Sequence, residues 1–244
     1  MSIDFRIVIP ARFASTRLPG KPLRLIHDKP MIQWVYEAAM RSDASEVIVA
    51  TDDQRIVDAV QAFGGKSCMT ASHHQTGTDR ILEVAEHNQW PDQTIVVNLQ
   101  GDEPLMPAQN MTQVAKNLDA SACDMATLYK LIDKSHADNP NQVKLVHDKN
   151  GRALYFSRSV IPFDRDDSGH SYFGHIGIYA YRVGFLSRFS QLAVCTLEDS
   201  EKLEQLRALW NGYSIHTELA SELPGPGVDT QADLDEVTQL LTKL

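Results

Sequence analysis

Two apolar rhythms alternate through the first half of the chain. Continuous apolar runs at residues 6–9, 47–50 (VIVA) and 94–99 (TIVVNL) predict buried strands. Helical spacing fills the gaps between them. Pro30 sits where a first turn tolerates proline, and 31–40 carries an apolar face. Ile56, Val57, Val60 and Phe63 mark a second helix that Gly64-Gly65 ends; Ile81, Leu82 and Ala85 mark a third, and Met111, Val114 and Leu118 a fourth. Cys68-Met69-Thr70 predicts a short strand between the second and third helices. This βαβα order predicts an α/β fold with a parallel, doubly wound sheet.

The second half changes character. Residues 142–147 and 152–156 flank Asp148-Lys149-Asn150-Gly151, a hairpin turn signal. A strand is expected over 173–181 (FGHIGIYAY), one amphipathic helix over 197–210, a late strand over 214–220 and a terminal helix over 233–244. Residues from about 124 to 191 are expected to add antiparallel strands that extend the sheet and cover a site or a dimer partner. The whole of 1–244 reads as a single domain carrying that insertion.

Composition narrows the possibilities. With 43% apolar and 23% charged residues the chain is an ordinary globular sequence, and its net charge of −9 argues against nucleic acid or an anionic membrane as partner. Cys68, Cys123 and Cys195 are odd in number and widely spaced, as expected of reduced thiols in a cytoplasmic protein. No signal peptide and no membrane-length apolar run is expected.

Against that acidic background one stretch stands out. After the first strand, ARFASTRLPGKP sets Arg12, Arg17 and Lys21 among small residues, with no acidic side chain from Phe5 to Ile26. A loop leaving a strand, rich in main-chain N–H groups and cations, suits a polyphosphate, and it falls where open α/β sheets keep their ligand crevice. Asp102, in QGDEP just past the strand 94–99, is placed to hold Mg²⁺ beside such a ligand; Asp229, in PGPGVDT, is a second candidate. Either aspartate is equally a helix cap. SHHQTGTDR (72–80) offers contacts for a nucleobase and ribose, or simply caps the next helix. Arg158 is able to fork onto a carboxylate. His175 is a core histidine or a ligand, and Glu198, Glu201 and Glu204 read as a solvated helix face.

Together, IPARFASTRLPGKPL, ATDD, HHQTGTDR, NLQGDEP, ALYFSRSVIP, GHIGIYAYR, LEQLRALW and PGPGVDT resemble, in order and along the whole chain, the signature segments of the 3-deoxy-manno-octulosonate (Kdo) cytidylyltransferases. The resemblance implies a glycosyltransferase-A-like nucleotidyltransferase fold, usually a homodimer, that uses CTP and Mg²⁺ to make a CMP-sugar for lipopolysaccharide and releases pyrophosphate. It implies a triphosphate loop of Arg12, Arg17 and Lys21, and CTP contacts from Ala11, Thr51, Asp52, Ser72, Gln75, Gly77, Thr78 and Arg80. Asp102 and Asp229 match the metal aspartates; Gln100, Arg158, His175, Glu204 and Gln205 match sugar-side positions. In the implied reaction the sugar's anomeric hydroxyl attacks the α-phosphorus in line with departing pyrophosphate. Arg12 and Lys21 offset leaving-group charge while the metal lowers the hydroxyl's pKa.

The chain departs from the family pattern at three places. The pattern has an arginine before the histidine where this chain has Gly174; the segment 164–172 is short; and Asp199-Ser200 replaces less acidic residues. Losing a cation and gaining a carboxylate near the acceptor suits a positively charged sugar. A subgroup similar to this chain there acts on 8-amino-3,8-dideoxy-manno-octulosonate (Kdo8N), which makes that sugar the expected acceptor and ordinary Kdo the alternative. Other sugar-nucleotide pyrophosphorylases and sialate cytidylyltransferases share the basic loop but not SRSVIP or PGPGVDT. A catalytically silent nucleotide-binding module has no need of both aspartates and Lys21. A dehydrogenase is excluded by the absence of G-x-G-x-x-G after the first strand.

Overall fold

The computed structural model describes residues 3–14 and 17–242; Ser15 and Thr16 of the basic loop and the last two residues of the expected terminal helix lie outside it. In chain order the first half holds β1 (Phe5–Pro10), a 3₁₀ turn (Lys21–Leu23), β2 (Leu25–Ile26), β3 (Lys29–Pro30), α1 (Met31–Met40), β4 (Glu46–Thr51), α2 (Gln54–Ala62), β5 (Ser67–Met69), α3 (Gly77–His87), β6 (Ile95–Asn98) and α4 (Ala108–Ala120). The second half holds β7 (Met125–Ile132), α5 (Lys134–Ala137), β8 (Lys144–His147), β9 (Ala153–Ser157), β10 (Tyr172–Arg182), α6 (Val183–Phe189), α7 (Thr196–Glu201), α8 (Gln205–Trp210), β11 (Ile215–Leu219) and α9 (Gln231–Leu241).

One twisted sheet runs in the order β11-β7-β10-β6-β1-β4-β5, with β8 and β9 attached through β10. β6, β1, β4 and β5 are mutually parallel, as the βαβα rhythm requires, while β10 enters antiparallel between β6 and β7. The expected mostly parallel sheet with an antiparallel portion is therefore present. Strand alternation divides the core between its two faces. Ile7, Ile9, Val47, Val49 and Val97 pack with residues of α1, α2 and α4, whereas Val8, Ile48, Ala50 and Val96 pack with α3 and α6. Helices cover both faces, so the parallel strands read as continuous apolar runs.

The helix expected over 197–210 is two. Lys202 adopts a left-handed conformation (φ 53°) between α7 and α8. The break turns three carboxylates inward, so the expected solvated face is also corrected. Glu198 accepts two hydrogen bonds from Arg207, at 2.7 and 2.6 Å. Glu201 accepts from Ser157 Oγ at 2.6 Å and from the main-chain N–H of Arg158 at 2.9 Å, and Glu204 accepts from Thr78 Oγ1 at 2.6 Å. A straight helix presents i, i+3 and i+6 to one side only and cannot serve three partners in different directions.

A small separate cluster fixes the end of the chain. Leu234 and Val237 of α9 and Val228 bury against Leu18, Ile26 and Met31, with Trp34 alongside. This contact folds the C-terminal segment back onto the basic loop, beside the C-terminal ends of β1 and β6.

Candidate active site

The basic loop and both predicted metal aspartates meet at one point. Lys21 Nζ donates to Asp102 Oδ2 at 2.6 Å, to Asp229 Oδ1 at 3.0 Å and to the carbonyl of Val228 at 2.9 Å. Arg17 Nη2 lies 3.0 Å from the same Asp229 oxygen. Burial pulls the Lys21 ammonium down, but Asp102 and Asp229 outweigh it and hold its pKa above the usual lysine value. Neither aspartate is a helix cap. α4 begins after Pro107, and α9 is capped by Thr230 in a reciprocal box with Asp233. With capping assigned to Thr230, the Asp229 carboxylate is free to turn toward Lys21. Gly101 allows the approach: a Cβ there would stand 2.8 Å from the carbonyl oxygen of Pro10.

Two cavities adjoin at this cluster and share Arg17 and Asp102. The smaller, about 330 Å³, is walled by Ala11, Arg12, Lys21, Gln100 and Gly101. Arg12 stands beside Arg80; burial first, then the Arg80 charge, lowers its pKa, and its Nη2 is buried without a hydrogen-bond partner among the described residues. A guanidinium at a cavity wall suits an oxyanion, which accepts charge-assisted hydrogen bonds. The larger cavity, about 680 Å³, has Glu103, Lys130, Gln142, Arg158, His175 and Asp233 on its walls. Arg158 is anchored through Nε to the carbonyl of Glu201 at 2.7 Å and through Nη1 to that of Pro140 at 3.0 Å, which leaves Nη2 uncommitted among the described residues. His175 sits where β10 loses register, between Ile176 and Tyr179, and its Nε2 lies 3.0 Å from Thr127 Oγ1. Burial pushes its pKa down to about 3, so the ring is neutral at physiological pH. His175 is thus both packed in the sheet and exposed to the cavity.

Sequence reasoning passed over Glu103, Lys130, Asn141, Gln142 and Asp233, which all line the larger cavity. Glu103 had a visible signal, adjacent to Asp102 in QGDEP; burial, then the Asp102 charge, raises its pKa to about 8. The others belong to β7, the segment before β8 and the first turn of α9, where no motif announces them.

The remaining expected residues gather on the other side of β1. Thr51 is fully buried, and Asp52 accepts from Arg80 Nη2 at 3.1 Å. Arg80 is itself completely buried and lines neither cavity; its Nη1 also bonds Thr70 Oγ1. It braces the Thr70–Ser72 turn against β4. Gly77 passes close to Pro10, and Gln75 folds back to donate to the carbonyl of His73 at 2.9 Å. Thr76 and Asp79 form the capping box of α3, so the capping reading of 72–80 holds for this stretch. Glu204 and Gln205 line neither cavity: Glu204 is held on Thr78, with burial raising its pKa, and Gln205 Nε2 is buried without a partner among the described residues. Asp199 is on neither cavity wall. It pairs with Lys202 at 2.5 Å in solvent, so the extra carboxylate faces neither cavity. Arg80→Met is expected to lower stability by about 3 kcal/mol, because Asp52 and Thr70 lose a buried partner. At this chain length that is a fall of roughly 6–12 °C in Tm by calorimetry; an unchanged Tm would show that the brace contributes nothing.

Residues 6–215 match the cytidylyltransferase family model. The chain is 53% identical to the 3-deoxy-manno-octulosonate cytidylyltransferase of Vibrio vulnificus over 98% of both chains. It is 51% identical to that of Haemophilus influenzae, covering 99% of this chain and all of the other. A solved CMP:2-keto-3-deoxy-manno-octonic acid synthetase complexed with CTP superposes with a TM-score of 0.93 at 46% identity over 98% of each chain. A cytidylyltransferase of Leptospira borgpetersenii, 14% identical with a TM-score of 0.64 over 99% of this chain and 87% of that one, shares the nucleotidyltransferase fold alone. The chain, with its cationic loop and paired aspartates between two cavities, belongs to the 3-deoxy-manno-octulosonate cytidylyltransferase family.

Proposed function

We propose that this enzyme transfers CMP from CTP to the anomeric hydroxyl of an acidic eight-carbon sugar, with Kdo8N preferred over Kdo, and releases pyrophosphate. The product then serves lipopolysaccharide synthesis. The observation that carries the reading is the convergence of Lys21, Arg17, Asp102 and Asp229 at the junction of the two cavities. The smaller cavity suits the triphosphate and the larger suits the sugar. The names of the Vibrio vulnificus and Haemophilus influenzae relatives support ordinary Kdo, the alternative acceptor.

The donor set at the junction fits Mg²⁺. Two carboxylates already flank one cation, the Lys21 ammonium, and among the described residues no third acidic, histidine or cysteine group joins them to close a cage. Mg²⁺ takes few protein carboxylates, keeps waters and uses substrate phosphates. Held by Asp102 and Asp229, it would supply neutralisation of charge at the reacting phosphate. The chain's own residues do the rest by positioning. Arg12 and Arg17 bind the triphosphate and orient it along β1, and Lys21 offsets charge on the departing β- and γ-phosphates. Arg158 offers a cation to the sugar carboxylate. The oxygen attacks the α-phosphorus as the bond to the pyrophosphate oxygen breaks, so holding the two in line is the main task.

The test is a competition: enzyme, CTP and Mg²⁺ with Kdo and Kdo8N together, reading kcat/KM for each CMP-sugar. A preference of ~10-fold or more for the amino sugar, ~1.4 kcal/mol, is expected. A preference for Kdo would leave the alternative acceptor standing, and no pyrophosphate release with either sugar would sink the activity. We place the reaction in the cytoplasm, consistent with three free cysteines; among the described residues no helix is long and apolar enough to cross a membrane. We also assign a homodimer, built through the segment that bears the exposed Leu154 and Phe163. Light scattering should read twice the 27.3 kDa chain mass, and a monomer at assay concentration would refute it.

A further inference from the structure

Gly174 is buried beneath the wall of the larger cavity, although it is not itself part of that wall. A Cβ on it would meet Ile132 Cγ2 at 2.9 Å and Gln142 Nε2 at 3.2 Å. The glycine thus leaves the space into which the Gln142 amide settles. Settled there, Gln142 Nε2 donates to the main-chain carbonyls of Val143 at 3.1 Å and His175 at 3.2 Å. Two carbonyl acceptors require the NH₂ end, which fixes the amide's orientation. Its Oε1 takes no bond from any described residue, and the side chain is on the cavity wall. A side chain at 174 would press first on Ile132 and then on the Gln142 amide, which would have to give by a few tenths of an ångström, and a long side chain would crowd the amide further.

We propose that Gln142, seated by Gly174, is the residue that selects the acceptor's terminal substituent, its Oε1 accepting a hydrogen bond from the sugar's ammonium group. This inference rests on the amino-sugar reading above and gives it a contact. Gly174→Arg would act in the opposite sense. A guanidinium only donates, so it pairs with a hydroxyl's lone pair and repels an ammonium. A fixed amide oxygen only accepts, so it serves a hydroxyl and serves an ammonium better, because hydrogen bonds to charged groups are stronger. Lys130, the register partner of Gly174 on β7, also lines the cavity, and an arginine at 174 would add a second positive charge beside it. Asp199, which lies in solvent, has no part in the selection.

The test compares kcat/KM for both sugars in the wild type, Gln142→Leu, Gln142→Glu and Gly174→Arg, with KM for CTP and thermal midpoint as controls on the fold. Gln142→Leu is expected to cut the amino-sugar preference about tenfold, chiefly by raising KM for that sugar. Gln142→Glu should preserve or increase the preference, and Gly174→Arg should reverse it. If the wild type prefers the amino sugar and both Gln142 variants leave the ratio within twofold of wild type, Gln142 is not the selector and the substrate reading survives without it. If the wild type prefers Kdo, the amino-sugar reading fails and the ammonium contact with it.

Discussion

Asp102→Ala is expected to lower kcat for CMP-sugar formation by ~10²-fold or more at saturating CTP, sugar and Mg²⁺, in a protein that stays folded. The size of the effect follows from where the carboxylate stands. Asp102 is shared by both cavities and accepts the 2.6 Å bond from Lys21, so it touches the cation site from the phosphate side and the sugar side at once. Its removal leaves Asp229 as the single carboxylate available to a metal and lets Lys21 relax toward Asp229 and Val228. The fold should tolerate the change, because Asp102 caps no helix, and its main-chain carbonyl would still accept from the N–H of Val228 at 2.9 Å. CTP binding should persist through Arg12 and Arg17. Asp229→Ala should act in the same direction, since Thr230 rather than Asp229 caps α9. Steady-state kinetics with circular dichroism of the same samples decides the matter. Near-normal turnover in either variant would remove that aspartate from the metal site.

Why the sequence pointed to more of the smaller cavity's wall than of the larger one's has a physical basis. Strands β1, β4 and β6 are buried on both faces, so their apolar runs are unbroken and their C-terminal ends are easy to find. Arg12 and Asp102 lie a few residues beyond those ends and Lys21 at the far end of the loop that follows β1, in segments whose unusual composition is a local property. The larger cavity is built differently. Lys130 comes from β7, Gln142 from the segment before β8, Arg158 from just after β9 and His175 from β10, and these meet only because β10 runs antiparallel through the middle of the sheet. β7 itself, Met125–Ile132, was expected only within the antiparallel strands of 124–191 and without bounds of its own, although it is the strand against which β10 and β11 both pair. The straight helix expected over 197–210 failed for a related reason. Its periodicity was correct locally, but Ser157, Arg158 and Thr78, all distant in sequence, draw Glu201 and Glu204 inward and set the break at Lys202.

Lys21→Met should lower kcat/KM by roughly 10²–10³-fold, the loss typical of removing a preorganised donor from developing oxyanion charge. It should also tighten the binding of Mn²⁺ to the nucleotide-free enzyme. The two effects have opposite sign because Lys21 meets different partners at different stages. Without nucleotide its ammonium holds Asp102 and Asp229 together, in competition with any divalent cation for the same two carboxylates. With CTP present, the phosphates attract the ammonium as strongly as the aspartates do, and Lys21 is free to serve the leaving pyrophosphate. Methionine keeps the length and apolar stem of the side chain while deleting its charge, so packing around the 3₁₀ turn is preserved. Asp229 keeps Arg17, and both carboxylates are partly solvated, with side-chain exposures of 32% for Asp102 and 49% for Asp229, so the cost in stability should stay near 1 kcal/mol. Kinetics and Mn²⁺ titration followed by electron paramagnetic resonance, on the same preparation, separate the two roles. Lost activity with unchanged Mn²⁺ affinity would mean that Lys21 acts on phosphate alone, and wild-type activity would exclude it from the reaction altogether.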